Sequence, residues 1–518
     1  MRSRWFILAT LCLATFAINV DTTIVNVALP SLVRELKASN GQLQWIVDAY
    51  NLAFAALVLA AGSLSDRYGR RGALLLGLAI FGLASLAGAA AESPGQLILV
   101  RAVMGVGAAT IFPATLSILS NVFTNRAARA KAIGIWGATT GIAVALGPIT
   151  GGWLLERYWW GSIFLAMVPI AAVAAILTAV IVPTSKDPAT PRLDWGGLML
   201  STAGLGTLVY TIIEAPQHGW MSARSLLGFV LAGLLLAALV GWERRTREPM
   251  IDVRLFANVR FSAASGSVTF AFFALAGFIF VITQYFQFLK AYGPLETGLR
   301  MLPVAGAIAA GSLVGTRLAI RIGTKLVVTT GLIMLGSAFL WISTASTATP
   351  YSEIIGQMVI LGGGLGLTSA PATESIMDVV PKEKAGVGSA VNDATRELGA
   401  TLGVAVIGSV FASMYSRTLD ANATVASLPV DVQDSARQSV GGAFIAAEHI
   451  AVAGDQGVGA QLVHAATSAF FDGFQAGCLV AGGLAFVGAA MVAMVLPRTV
   501  RRTADPGRLT EAAVDEAG

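Results

Sequence analysis

The chain has 518 residues, 55% of them hydrophobic and only 12% charged, where soluble domains carry about 25% charged residues. Together with a mean hydropathy of +0.74, these values exclude a soluble enzyme with an appended anchor and describe an integral membrane protein. The formal net charge is +5, so the placement of the basic residues decides whether it serves nucleic acid or membrane topology.

Arg2 and Arg4 precede an apolar run that is too long for a signal-peptide core, contains Asp21 and lacks an Ala-x-Ala-like end, so it reads as a first span over 5–29. Further apolar segments follow at 43–64, 73–91, 97–120, 131–155, 162–182, 194–214, 225–243, 261–289, 299–320, 326–345, 353–377, 393–415 and 474–496. Each is long enough to cross a ~30 Å hydrocarbon core as a helix, and none has the short alternating pattern of a barrel strand. The sequence predicts an all-α polytopic protein with fourteen transmembrane helices. With the N-terminus inside, 24 of the 34 basic residues fall in inner connections. That excess is topological, places both termini in the cytoplasm and removes the nucleic-acid reading.

The charged residues inside spans are the first candidates for chemistry. Asp21 in "NVDTTIVNVALP" costs roughly 2.5–3.5 kcal/mol on insertion scales and should face the bundle interior. Taking a carboxyl group out of water makes it easier to protonate, so Asp21 is a candidate for proton exchange or substrate-cation contact. The blander alternative is a carboxylate bonded permanently to Thr22 or Thr23. Asp48, near the outer end of span 2, is a second candidate. Arg101 near the outer start of span 4 stays charged and needs an interior partner; Asp21 and Asp48 are candidates, and Asp21, in the outer half of span 1, lies at comparable depth, so Asp21 is read as exchanging protons against Arg101. In the loop 62–71, Gly62 and Gly69 permit close approach and a tight turn, while Asp66, Arg67, Arg70 and Arg71 offer both charge signs. Gly141, Gly147, Gly151 and Gly152 surround Pro148 in span 5, a pattern for close helix contact and a kink.

In the second half, Gln284, Tyr285 and Gln287 end span 9, where they reach either a central cavity or neighbouring helices. "GGGLGL" at 362–367 mimics a phosphate loop, yet no strand precedes it and it lies inside an apolar span. Glu374 and Asp378 lie toward the inner end of span 12. Asp393 and Glu397 share a face at i,i+4, with Arg396 able to pair locally. Cys12 and Cys478 form no disulfide framework, and His218, His449 and His464 are too scattered for a metal site.

An internal repeat links the two halves. "PATLSI" at 113–118 returns as "PATESI" at 371–376, an offset of 258, and Arg67, Gly69 and Arg71 align with Arg321, Gly323 and Lys325 at an offset of 254. Eight spans separate the equivalents, so two helices are inserted between parallel six-helix halves. The expected layout is a first bundle over 1–185, the inserted pair over 186–260 and a second bundle over 261–497. The second bundle carries an extracellular loop at about 416–473, moderately polar with helical patches such as "DVQDSARQSVGGAFIAAEHI" (431–450), and 498–518 forms a cytoplasmic tail.

Four stretches, in order, resemble signatures of the major facilitator superfamily, in particular its fourteen-span drug:proton antiporter branch of the EmrB/QacA type. They are "NVDTTIVNVALP", "GSLSDRYGRRGALLLG" (62–77), "RAVMGVGAA" (101–109) and "GIAVALGPITGGWL" (141–154). The resemblance implies a cytoplasmic gating latch at 62–71 and an exporter motif around Pro148. It also strengthens Asp48 and Glu397 as acidic positions of drug-exporting relatives. It implies a proton-coupled exporter of amphipathic or cationic small molecules in the cytoplasmic membrane, driven by the proton gradient with no cofactor and no ATP, and not an enzyme. In this reading Asp21, Asp48, Arg101, Glu374 and Glu397 carry coupling and substrate contact. The same fold could instead export a native lipid, siderophore or other metabolite. A receptor or scaffold is a remoter alternative, for which the sequence offers no signalling domain.

Overall fold

A computed structural model of the chain describes residues 2–186, 193–247, 249–250, 253–380 and 385–496. The tail at 498–518 and most of the connection at 186–192 lie outside the described residues.

In chain order the helices are α1 (Arg2–Leu36), α2 (Asn40–Tyr68), α3 (Arg70–Ala89), α4 (Pro94–Val122), α5 (Arg126–Arg157), α6 (Ser162–Leu165) and α7 (Met167–Ile181). Then come α8 (Trp195–His218), α9 (Ala223–Arg245), α10 (Val259–Gln284), α11 (Pro294–Arg300), α12 (Leu302–Ile322), α13 (Thr324–Ile342) and α14 (Tyr351–Val379). The last five are α15 (Ala385–Asp420), α16 (Ala423–Ala426), α17 (Val430–Gln438), α18 (Val440–Val452) and α19 (Gln456–Val495). Among the described residues, fourteen helical segments are long and apolar enough to cross a membrane; α6 with α7, α10 with a π-helical turn at Tyr285–Leu289, and α11 with α12 each count as one.

Local sequence sets the helix ends. Ser39 and Gln42 form a reciprocal capping box at the start of α2, and Ser93 caps α4 ahead of Pro94. Gly69 takes φ +129° between α2 and α3, and Gly323 takes φ +91° between α12 and α13. Only glycine adopts such backbone readily, so the two turns that align in sequence are also conformational equivalents.

Helices α1–α7 pack among themselves, as do α10–α15 with α19. The repeat is written into the glycines that allow this packing. Gly105 on α4 lies against the Tyr50 backbone of α2, and Gly362 on α14 lies against the Val304 carbonyl of α12. Gly107 meets Gly77 and Phe81 on α3, while Gly364 meets Gly331 and Leu335 on α13. Positions 105 and 107 map onto 362 and 364 at one offset of 257. The phosphate-loop lookalike at 362–367 is therefore a helix-packing seam.

The two groups of helices meet mainly at the end that carries α16–α18, here termed the cap end; the opposite end carries the 62–71 loop. Gly152 of α5 abuts Pro294 and Leu295 of α11, and Gly298 of α11 abuts the Pro148 carbonyl. Glu156 Oε1 accepts the Leu295 N–H at 3.2 Å, Gln287 Nε2 donates to the Val27 carbonyl at 2.8 Å, and Ser409 Oγ donates to Gln44 Oε1 at 3.1 Å. Toward the loop end α5 is exposed, with nothing within 4 Å of a Cβ built at Gly134, Gly137 or Gly141. The inserted pair α8–α9 leans on the α2–α15 seam. Val209, Ile212 and Ile213 pack with Ala405 and Leu52, and Trp220 Nε1 donates to Ser413 Oγ at 2.9 Å.

In the region 416–473, α15 continues to Asp420, three short helices follow, α17 and α18 among them over the helical patch at 431–450, and α19 begins at Gln456 rather than 474. Asp455 caps the new start through the Val458 N–H, and Gly459 lets α19 close on the Ala447 carbonyl of α18. The added turns pack under the cap instead of facing lipid, which is why their polar residues concealed the helix.

Candidate transport site

Asp21, on α1, is 0% exposed and Arg101, on α4, is 1% exposed. Arg101 Nη1 donates to Asp21 Oδ2 at 2.5 Å, and Arg101 Nε donates to the Ile46 carbonyl of α2 at 3.0 Å. The guanidinium carbon lies 4.4 Å from the centre of the Tyr50 ring, and the Met104 sulfur is 4.0 Å from Nη1. Tyr50 in turn donates its hydroxyl proton to the Ile18 carbonyl of α1 at 3.3 Å. Three helices thus converge on one buried charge pair.

Thr22 and Thr23 do not hold Asp21. Their hydroxyls donate to the Asn19 and Val20 carbonyls of their own helix, at 2.8 and 3.2 Å. Asp21 Oδ1 has no hydrogen-bond partner among the described residues. One carboxylate oxygen is locked to the guanidinium, and the other remains open to a proton or a donor.

The glycine motif of α5 borders this pair. Gly147 packs on Val20 and Thr23, and Gly151 on Ile24, so α5 touches α1 on both sides of Asp21. Gly152 faces α11 instead, and Gly141 faces open space. Four of the five motif residues, Pro148 included, therefore work as contact surface.

Asp48 is 0% exposed, and neither of its oxygens has a partner among the described residues. It does not join Arg101. Its i±4 neighbours are Gln44, bonded to Ser409, and Leu52, packed against α8 and α15. Asp48 thus shares the α2 face turned toward the inserted helix and the opposite half.

In the 62–71 loop, Arg70 Nε bonds Asp66 Oδ1 at 2.6 Å, the Arg70 N–H reaches the Ser185 carbonyl at 3.0 Å, and Arg71 Nη2 donates to the Ala179 carbonyl. Arg67 stacks 5.9 Å from the Tyr68 ring, and Gly62 packs on Pro113 of α4. These contacts bind the α2–α3 turn to the end of α7.

The acids of the second half do not form one cluster. Glu374 is exposed, and Asp378 pairs with Arg260 at 3.0 Å. Arg396 Nη2 donates to Thr373 Oγ1 at 3.2 Å and lies 5.2 Å from the Phe272 ring, with Asp393 and Glu397 within reach of its charge. Glu397 is half-buried, and its charge also acts on Tyr50, as do those of Asp21 and Arg101. Gln284, Tyr285 and Gln287 donate to backbone carbonyls, at Phe280, Ser346 and Val27.

Tyr50 and Gln44 are the participants that sequence reading missed. The only signal for Tyr50 was its position one turn beyond Ile46 at the depth of Arg101. Both cysteines are free and buried; among the described residues no group of three His, Cys, Asp or Glu side chains could hold a metal.

A buried ion pair inside the first of two repeated helix bundles, in a chain with fourteen helices able to cross a membrane, fits a membrane transporter. Residues 11–404 match the model of the Major Facilitator Superfamily, and the chain belongs to that family. It is 34% identical to the multidrug efflux pump LfrA of Mycolicibacterium smegmatis over 95% of this chain and 96% of that one. It is 36% identical to the multidrug resistance protein Stp of Mycobacterium tuberculosis, covering 79% and 76%. Among solved structures it resembles a bacterial homolog of the human lysosomal transporter Spinster, inward-facing and occupied, with TM-score 0.65 and 17% identity over 98% of this chain and 99% of that one.

Proposed function

We propose that the protein is a proton-driven exporter of amphipathic or cationic small molecules. It works by alternating access and acts as a carrier, not an enzyme. The excess of basic residues at the loop end supports a cytoplasmic position for that end and for both termini. The cap-end seam and the exposed inner half of α5 then correspond to a state closed outside and accessible from inside.

The observation that carries this reading is the Asp21–Arg101 pair with its open Oδ1. A guanidinium cannot give up its proton at physiological pH, so any change in the pair's charge happens at Asp21. Protonation from outside and release to the cytoplasm supply the energy for export, with no ATP or cofactor. Asp48 and Glu397 supply further negative charge toward a cationic cargo, and Glu374 does so nearer the mouth. The 62–71 loop latches the cytoplasmic ends of the bundle when the opposite state forms. That one named relative is a multidrug efflux pump and the other a multidrug resistance protein supports drugs as cargo.

Cells expressing the wild type should accumulate less of a lipophilic cationic dye, and an uncoupler should erase the difference. Asp21→Asn should insert in the membrane at normal levels and leave dye accumulation as high as in cells without the protein. Undiminished export by Asp21→Asn would overturn the reading.

A further inference from the structure

Tyr50 is 1% exposed and lies beside the ion pair without carrying charge. Its ring covers the Arg101 guanidinium at 4.4 Å, and its hydroxyl reaches the Ile18 carbonyl, one turn before Asp21. Its backbone is held where Gly105, one turn beyond Arg101, brings α4 against α2.

The arrangement matters most in the half-cycle when Asp21 is neutral. Arg101 then remains charged and buried, and among the described residues the Ile46 carbonyl, the Met104 sulfur and the Tyr50 face still receive it. A ring face attracts a guanidinium more strongly when both are desolvated. We infer that Tyr50 is a positioning residue for proton exchange: its ring holds the Arg101 charge in place while Asp21 is protonated, which makes the neutral form of Asp21 easier to reach. This rests on the proton-exchange reading of Asp21.

The charges that bear on the site are few. Among the described residues Asp21 is paired with Arg101, and Tyr50 lies within reach of both charges and, from α15, of Glu397. Asp48 sits on the same helix but on the face turned to α8 and α15. Helix α5 offers Gly147 and Gly151 to α1, and neither carries charge.

The sign of the effect follows. In the ionised state Arg101 has both the carboxylate and the ring, so losing the ring matters less than in the neutral state. Removing the ring should therefore make Asp21 harder to protonate. Purified full-length protein would be treated with a hydrophobic carbodiimide, which reacts with protonated buried carboxyl groups, and labelling of the Asp21 peptide followed by mass spectrometry across pH. Tyr50→Leu should move half-maximal labelling to lower pH by about one unit, a tenfold change in proton affinity. Tyr50→Phe, which keeps the ring, should track the wild type. A Tyr50→Leu midpoint equal to the wild type would overturn the inference while leaving Asp21 as a proton carrier. So would an equal shift in Tyr50→Phe, which would assign the effect to the hydroxyl. An Asp21 that never titrates in the wild type would overturn both readings. Should Tyr50→Leu fail to fold, Tyr50→Trp replaces it: a larger π face should hold the midpoint at or above the wild-type pH, and a lower midpoint would overturn the inference.

Discussion

Arg101 and Asp21 each make the other tolerable. Burying a lone charge is expensive, and breaking a buried pair by removing one partner typically costs about 3–5 kcal/mol. Arg101→Ala should therefore lower the thermal stability of the detergent-solubilised protein by an amount of that order. Adding Asp21→Asn to Arg101→Ala should restore most of the loss, because no unpaired charge remains. Thermal unfolding of the two single variants and the double variant checks this; additive losses would mean that the two residues do not act as a pair. The pairing itself was legible in the sequence, since both residues interrupt apolar spans at similar depth. The choice of Asp21 over Asp48 also followed from depth, but the physical reason that excludes Asp48 was not legible. It depends on which face of α2 meets α4, and Tyr50 and Gly105 occupy that face while Asp48 turns away from it.

Among the helices, the equivalent contacts of Gly107 and Gly364 explain how α4 and α14 come to lie so close to their neighbours. A Cβ at Gly107 would lie 2.8 Å from the Phe81 nitrogen, and one at Gly364 would lie 2.6 Å from the Gly331 carbonyl oxygen. Both obstacles are backbone and cannot swing aside. Gly107→Val and Gly364→Val should each sharply reduce the yield of folded protein, whereas Gly134→Ala, with nothing nearby, should not. Size-exclusion profiles after solubilisation compare the three, and a monodisperse Gly107→Val at normal yield would contradict the packing account. Spans of about 20 apolar residues made the helices themselves readable. The start of α19 was hidden because Gln461, His464 and Asp472 interrupt its apolar pattern where the helix packs under the cap. The purpose of residues 362–367 was hidden because a glycine run looks the same whether it faces a phosphate or another helix.

The whole molecule is joined across its two halves by contacts at the cap end, where Gly152 and Gly298 place α5 and α11 backbone to backbone. The repeat in the sequence made two parallel halves foreseeable, but the state they occupy depends on cross-half contacts between residues far apart in the chain, such as Gly152 with Leu295 and Gln44 with Ser409. Gly298→Leu should wedge this seam apart. It should raise thiol-reagent labelling from outside at a cysteine placed at Thr23, relative to the same cysteine in the parent, and abolish export. Unchanged labelling would show that the seam does not close the outer path.

The central claim is that substrate movement and proton movement meet at Asp21. Its most direct test is proton release from the lumen of energised inverted vesicles on addition of a lipophilic cation, compared between wild type and Asp21→Asn. Release by the wild type and silence from Asp21→Asn is the result predicted here. Equal release from both would contradict it and move coupling to another carboxylate.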